Sequence, residues 1–422
     1  MTIEDLRDQD VVALVSGGLD SVTFTRWAAD HGVRVHCLTA DLGQPDEDDI
    51  SDIEKRMIAS GAASFRFVDA RREIAEAGIL LAMAGAAYEG GYLNTTGIAR
   101  AVTTELALPV MKALGIDVLS HGATGRGNDQ TRFQLYANML DPSVRVYAPW
   151  RDPAFLERFP GRSEMIEFCE QQRIPIRATR EKPYSTDANL LGLTHEAGRL
   201  EYLDTPARFI TPGFGVHPKD APDEPERVTV GFEHGLPVSV NGNTVDPVAL
   251  IETLNNIGGR NGVGIGVHAV ENRYVGIKSR GVYEQPGLEV LYRAWQFAWQ
   301  LVLDRRSLEL YRFLSNMVGR HIYEAAWFHP STVAALDALR RLAGTINGTI
   351  TVELYKGNVD FAAADCEPML YSPEDASMEG VGSFDHTDAE GFLGVLGVSA
   401  RALNRAGQIW PDALRLRPED AD

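Results

Sequence analysis

The chain has 422 residues, 44 % hydrophobic and 23 % charged, with a formal net charge of -19 at pH 7. This composition is that of an ordinary water-facing protein long enough for two domains and for cores that need no covalent staples. So acidic a chain argues against a protein that tracks a nucleic-acid backbone, because such binding rewards basic surface. Cys37, Cys169 and Cys366 stand far apart with no Cys-x-x-Cys pair. That excludes a disulfide framework and a cysteine-based zinc site, and it suits a reducing cytoplasm. No apolar run reaches the ~18 residues of a transmembrane helix, and the opening MTIEDLRDQD lacks the order of a secretory signal. The expected setting is cytoplasmic, with no membrane or nucleic-acid partner.

The first third alternates apolar strands with amphipathic helices. VVALVS (11–16) and VRVHCLTADL (33–42) read as strands, with a helix from about Ser21 to His31 between them. DEDDISDIEKRMIAS reads as a helix whose acidic start suits the positive end of the helix dipole. FRFVDA is a third strand, and GIDVLSHGA (115–123) and VRVYAPW (144–150) are further strands, each preceded by a helical stretch. Strands separated by helices pair in parallel, which predicts a doubly wound α/β sheet with ligands beyond the carboxyl ends of its strands. From about residue 180 the pattern changes. RVTVGFEHGLPVSVNG (227–242) and TITVELYKGNVDFAAA (349–364) read as hairpins, the second turning at Lys356-Gly357-Asn358. Long amphipathic helices around 288–303 and 305–320 lie between them, and the Pro- and Gly-rich 203–226 is a loop. The expected division is an α/β domain at 1–180, an α+β domain at 181–375 and a tail at 376–422. The tail carries one apolar helix, GFLGVLGVSARALNRAGQIW, for a neighbouring subunit or for its own chain.

The turn SGGLDS (16–21) lies between the first strand and the first helix. Its glycines let backbone N–H groups face an anion closely, its serines add donors, and the helix N-terminus adds about half a positive charge. As the first βα turn of a parallel sheet it predicts a phosphate seat rather than a plain tight turn. It lacks the Gly-Lys-Ser/Thr ending of a Walker loop, so γ-phosphate transfer of that kind is not expected. Asp20 either faces a Mg²⁺ ion or caps the helix. The run HGATGRGNDQTR (121–132) is a second Gly-rich loop after a strand. NGVGIGV (261–267) has the wrong spacing for a dinucleotide fingerprint, THE (194–196) is not a zinc-protease motif, and His121 reads as structural.

The SGGLDS loop resembles that of the N-type ATP pyrophosphatases, an adenine nucleotide α-hydrolase-like group that holds the β,γ-phosphates while the bond at the α-phosphorus is cut. That group includes synthetases of GMP, NAD and asparagine, tRNA-thiolating enzymes and argininosuccinate synthase. TADLGQPDEDD (39–49), YLNTTGIARAV (92–102), HGATGRGNDQTRF (121–133), APWRD (148–152), KPYSTDANLLGLTHEAGRLEYL (182–203) and VENRYVGIKSRGVYEQPG (270–287) resemble the argininosuccinate synthase family, in that order. The likeness continues more weakly to HTDAEGF (386–392). The Asn-Thr-Thr after Tyr92 and Thr194 match its longer-chain branch, while HGATGRGND matches the shorter one.

The resemblance implies a nucleotide-binding domain followed by a synthetase domain, and an ATP-dependent ligation of citrulline and aspartate that releases AMP and pyrophosphate in arginine biosynthesis. It implies ATP contacts from Leu14, Ser16, Gly17, Gly18, Leu19, Asp20, Ser21, Ala40, Gly122, Thr124, Asp129 and Asp187. Aspartate falls to Thr124, Asn128 and Asp129, and citrulline to Tyr92, Asn128, Arg132, Ser185, Thr194, Glu196, Glu271 and Tyr283. Asn128, Asp129 and Arg132 are the expected catalytic centre. Mg²⁺ with ATP and a homotetramer are also implied. Aspartate brings one ammonium and two carboxylates, which suits an acceptor such as Asp129 beside donors. Asn128 or Asp129 as a simple helix cap is the competing reading, and the mixed branch motifs leave the ureido acceptor open.

Overall fold

Strand β1 (Asp10–Leu14) runs into helix α1 (Leu19–Asp30), and β2 (Arg34–Asp41), α2 (Ile50–Ala59), β3 (Ser64–Asp69), α3 (Arg71–Ala84), α4 (Thr95–Leu114), β4 (Val118–His121), α5 (Asp129–Leu140) and β5 (Arg145–Tyr147) follow. This computed structural model describes residues 1–45, 50–125, 127–176, 184–272, 276–377, 379–380, 382 and 385–411. The five strands pair in parallel in the order β3-β2-β1-β4-β5. Strand order reverses between β1 and β4, so the loops after these two strands share one crevice, the usual ligand position in such sheets. β1 is apolar on both faces because both are covered: Val11, Ala13 and Val15 enter one core cluster, Val12 and Leu14 another.

The sequence-derived boundaries shift where local chemistry intervenes. β1 stops at Leu14, two residues early, because the Ser16 amide turns to the Ser21 hydroxyl at 3.2 Å. Helix α1 starts at Leu19, two residues before Ser21, with extended Gly18 as its N-cap. β5 ends at Tyr147 because Pro149 opens a 3₁₀ turn. The helix read from residue 46 is described from Ile50 on, and residues 46–49 lie outside the described residues. Helices α6 (Pro153–Arg158) and α7 (Arg162–Gln171) complete this half.

Next come β6 (Ser185–Asn189), β7 (Gly192–Glu196), β8 (Glu226–Glu233), β9 (Leu236–Val240), β10 (Asn243–Thr244), α8 (Pro247–Arg260), β11 (Ile265–Asn272), β12 (Ile277–Glu284), α9 (Pro286–Val302), α10 (Arg305–Tyr323), α11 (Pro330–Ala343), β13 (Gly348–Tyr355) and β14 (Asn358–Cys366). Both expected hairpins form, within one antiparallel sheet ordered β10-β9-β8-β13-β14. Asn358 already belongs to β14, so the second hairpin turns on Lys356-Gly357 alone. A third sheet, β11-β12-β7-β6, is antiparallel and was not foreseen. NGVGIGV links α8 to β11 and follows no strand. The largest core joins Leu81 and Met83 of α3 and Ile98 of α4 to Trp295 and Trp299 of α9 and Val352 of β13.

Met1–Pro368 form one compact unit and Met369–Asp422 another. Within the second, α12 (Pro373–Ala376) precedes α13 (Asp388–Arg405), which ends before left-handed Gly407, short of the expected Trp410. Among the described residues no helix is long and apolar enough to cross a membrane.

Candidate active site

The loop after β1 is held open by its glycines. Gly17 has φ +69°, and a Cβ there would lie 2.9 Å from the Ile53 side chain of α2. The Gly18 amide meets the Ser16 hydroxyl at a long 3.4 Å, and no side chain caps the first turn of α1. The Arg56 guanidinium donates to the Gly17 carbonyl. Asp20 is not the cap of α1. Its Oδ1 accepts the Trp150 indole N–H at 3.2 Å, and burial raises its carboxyl above the usual range. Leu14 pairs in register with His121 of β4, and a Cβ on Gly122 would lie 3.8 Å from that of Asp20. The loops after β1 and β4 therefore meet. Ala40 is buried on β2 and Leu19 is buried in the core beneath the loop.

The loop after β4 leads into a charged cluster. Gly125 passes close over the Trp150 carbonyl, where a Cβ would lie 2.7 Å away, and Thr124 is exposed beside Gly127. Asn128 and Asp129 open α5, yet neither side chain caps it. The Asn128 amide donates to the Tyr323 hydroxyl at 2.9 Å. Asp129 accepts Arg132 at 2.8 Å and Arg100 at 2.9 Å, and Arg100 also pairs with Asp187. Burial works against the Asp129 charge, but the two guanidiniums hold its carboxyl at about 2. Asp187 goes the other way, since burial outweighs Arg100 and raises it. The Arg132 guanidinium lies over the Tyr323 ring, 5.0 Å from its centroid, and donates to the Tyr323 carbonyl at 3.3 Å.

The unforeseen sheet supplies the opposite wall. Its register aligns Asp187 of β6, Thr194 of β7 and Tyr283 of β12, while Ser185 pairs with Glu196. Strand alternation sends Thr194 and Glu196 to one face and His195 to the other. On that other face the buried His195 imidazole meets Glu284 at 2.7 Å, and Glu284 also accepts the amides of Gly213 and Phe214. On the cleft face the Thr194 hydroxyl lies 3.3 Å from that of Thr96, and the Tyr92 hydroxyl accepts the Thr96 amide at 3.0 Å. The rings of Tyr92 and Tyr283 are 4.6 Å apart, and Tyr88 stacks on Tyr323 at 3.9 Å. Solvent reaches Glu196 from the cleft. Desolvation by the walls and the charges of Asp129 and Asp187 still push its carboxyl to about 7.

Tyr92, Asn128, Asp129, Arg132, Asp187, Thr194, Glu196 and Tyr283 are thus brought together, while exposed Ser185 lies at the start of β6. Glu271 lies on β11, and its side chain is outside the described residues. His121 is buried and stacked on Phe133 at 5.0 Å, and burial lowers its imidazole to about 3, which keeps it neutral. Sequence reasoning missed Arg100, Thr96 and Tyr323. The first two were visible inside YLNTTGIARAV, on the first turns of α4, whereas nothing local marks Tyr323.

Residues 10–175 match the family model for the arginosuccinate synthase N-terminal HUP domain, and residues 184–403 match that for the arginosuccinate synthase C-terminal domain. The chain belongs to the argininosuccinate synthase family. It is 44 % identical to the argininosuccinate synthase of Rhodopirellula baltica over 396 residues, which covers 93 % of this chain and 98 % of that protein. The argininosuccinate synthase of a Thermotoga species is 38 % identical, covering 92 % of this chain and 95 % of its own. That of Desulfitobacterium hafniense is also 38 % identical, covering 93 % and 97 %. Membership accounts for the order in which the motifs appear along the chain, from the first βα turn to β12.

Proposed function

We propose that this member of the argininosuccinate synthase family joins citrulline to aspartate at the expense of ATP, giving argininosuccinate, AMP and pyrophosphate. One observation carries the reading beyond family likeness: a lysine-free Gly-rich loop after β1 adjoins, through Gly122, a loop leading into a cleft lined by two arginines and three carboxylates. A ureido carbon is a poor electrophile. Attack of the ureido oxygen on the α-phosphorus expels pyrophosphate, and attack of the aspartate amine on the activated carbon then expels AMP with loss of a proton. The protein aligns the reactants and stabilises developing charge.

In this reading Ser16 to Ser21 seat the phosphates, with Leu14, Ala40 and Gly122 beside the nucleotide and Asp187 as a further contact. Thr124, Asn128 and Asp129 take aspartate, with Asp129 facing its ammonium. Tyr92, Asn128, Arg132, Ser185, Thr194, Glu196, Glu271 and Tyr283 take citrulline, with Glu196 facing its α-ammonium. Among the described residues no three His, Cys, Asp or Glu side chains group as a metal cage. A Mg²⁺ ion arriving with ATP would draw on phosphate and water oxygens, with half-buried Asp20 as a single protein carboxylate, a donor set that suits this cation. It would neutralise phosphate charge. The reading also includes division at residues 180 and 375, a homotetramer to which α13 offers exposed Phe392, Leu393, Val395 and Leu396, and a reducing cytoplasm suited to three buried thiols.

The test is to supply ATP, citrulline and aspartate, omit each in turn, and follow pyrophosphate and AMP. AMP should accumulate only with all three present. Release that ignores citrulline, or that prefers another urea in its place, would overturn the assignment.

A further inference from the structure

Resting on the reading of Ser16–Ser21 as the phosphate seat, we propose that Arg56 is the positioning residue of that seat. It anchors the Gly17 carbonyl so that the next N–H faces the anion, and it supplies the positive charge that a Walker loop takes from its lysine. The loop itself contains no basic residue, and the chain as a whole carries -19. A triphosphate tail approaching such a protein needs a local cation as well as N–H groups.

Arg56 comes from α2, 39 positions along the chain from Gly17, and is only 5 % exposed. Arginine is rarely buried so deeply unless its donors are used. Here Nη1 donates to the Gly17 carbonyl, and Nε donates to the Asp52 carbonyl at 3.2 Å with the Asp52 carboxylate at 3.5 Å. The packing leaves no slack. A Cβ on Gly17 would lie 3.3 Å from the guanidinium carbon and 2.9 Å from Ile53. In a trans peptide the C=O and the following N–H point in opposite directions. Holding the Gly17 carbonyl against Arg56 therefore turns the Gly18 N–H away from α2, to the side where it makes its 3.4 Å contact with Ser16. Gly18 is also the N-cap of α1, so the uncapped first-turn amides and the helix dipole start at the same point. One side chain thus orients the peptide that would donate to phosphate and places a guanidinium, shared with the Asp52 carboxylate, behind it.

The competing account is that Arg56 merely bolts α2 to the β1–α1 turn. Full-length Arg56→Gln and Arg56→Lys separate the two. Gln keeps a donor and loses the charge, while Lys keeps the charge. Calorimetric titration with ATP and with inorganic pyrophosphate should show affinity falling about 10- to 100-fold in the Gln variant, the scale of one charged hydrogen bond. The Lys variant should recover most of that loss. In steady state the Gln variant should raise KM for ATP while kcat at saturation and KM for citrulline stay within about twofold. Wild-type pyrophosphate affinity in the Gln variant, or an equal loss in the Lys variant, would overturn the proposal. Should Gln fail to fold, the Lys titration alone decides, near-wild-type affinity supporting the charge role and a loss of tenfold or more opposing it. If the wild-type protein bound neither ATP nor pyrophosphate, the phosphate-seat reading itself would fail, which is a distinguishable result.

Discussion

Lowering the pH from 8 to 6 should weaken citrulline binding about tenfold, and Glu196→Gln should abolish that dependence. Glu196 ends β7 on the cleft face, where wall desolvation and then the Asp129 and Asp187 charges raise its carboxyl from 4.5 to about 7, against the pull of Arg100 and Arg132. With that value roughly a tenth of the carboxyl is ionised at pH 6 and roughly nine tenths at pH 8. An α-ammonium pairs with the ionised form, so binding expels the proton, and affinity rises with pH until it levels off above about 7. Isothermal titration with citrulline in buffers of different ionisation enthalpy reads both the affinity and the released proton. In the Gln variant affinity should be lower throughout and flat between pH 6 and 8. The sign for folding is opposite. The native state holds this proton more tightly than the unfolded chain, so its contribution is fully present below about 4.5 and lost as pH rises through about 7, and solvent in the cleft keeps it small. A wild-type affinity independent of pH, or an unchanged slope in Glu196→Gln, would refute the reasoning.

Asp129→Ala should cut turnover by orders of magnitude and also lower the melting temperature, because it leaves Arg100 and Arg132 side by side without their shared carboxylate; Asp129→Asn is the gentler variant, and steady-state assays with thermal melts compare the two. Arg132→Ala, which removes a guanidinium only 5 % exposed, should likewise lose activity and stability together. Arg100→Met leaves Asp187 without its cation, so a Fourier-transform infrared titration should find the Asp187 carboxyl taking up its proton at higher pH than in the wild type, with aspartate KM raised at least tenfold. Gly17→Ala should raise KM for ATP with little effect on citrulline, since a left-handed φ costs alanine about 1–2 kcal/mol before the Ile53 contact is counted. Replacing Leu393 and Leu396 of α13 with Asp should reduce the assembled mass seen by light scattering while leaving circular dichroism nearly unchanged.

What could be read from the chain alone was whatever has a local cause. The turn SGGLDS stood out because two glycines and two serines fall between an apolar strand and a helix, and the structure has both flanking elements, with Gly17 left-handed between them. The parallel sheet was legible because β1 is apolar on both faces, as a central strand must be. The wall formed by β6, β7, β12 and β11 escaped because β6 and β7 are only five residues long and the strands are polar: STDAN, GLTHE and IKSRGVYE carry few of the apolar residues that mark a strand. Strand alternation within THE would have told the cleft residues Thr194 and Glu196 from His195, but only once a strand was suspected. Arg100 meets Asp187 across 87 positions, and Asn128 meets Tyr323 across 195. Such partners are chosen by the assembled core, in which Leu81 and Trp295 meet, and no window of sequence contains both.

The charge arithmetic of the cleft explains why an acidic protein would surround its own arginines with carboxylates. Arg100 and Arg132 are balanced by Asp129 and Asp187, so the cluster is near neutral while Glu196 keeps its proton. Bare guanidiniums there would be costly to bury, and the surrounding negative charge would offer a poor reservoir of compensation at a distance greater than ~8–10 Å of screening. Paired, they are held in fixed directions before any substrate arrives. Ionising Glu196 then leaves a single negative charge, which a ligand ammonium can neutralise without disturbing the arginines. A second amino acid with an additional carboxylate would find the donors already aimed. Electrostatic preorganisation of this kind requires that the carboxylates survive as partners rather than be displaced, so Asp129→Asn should harm catalysis more than it harms the binding of citrulline alone.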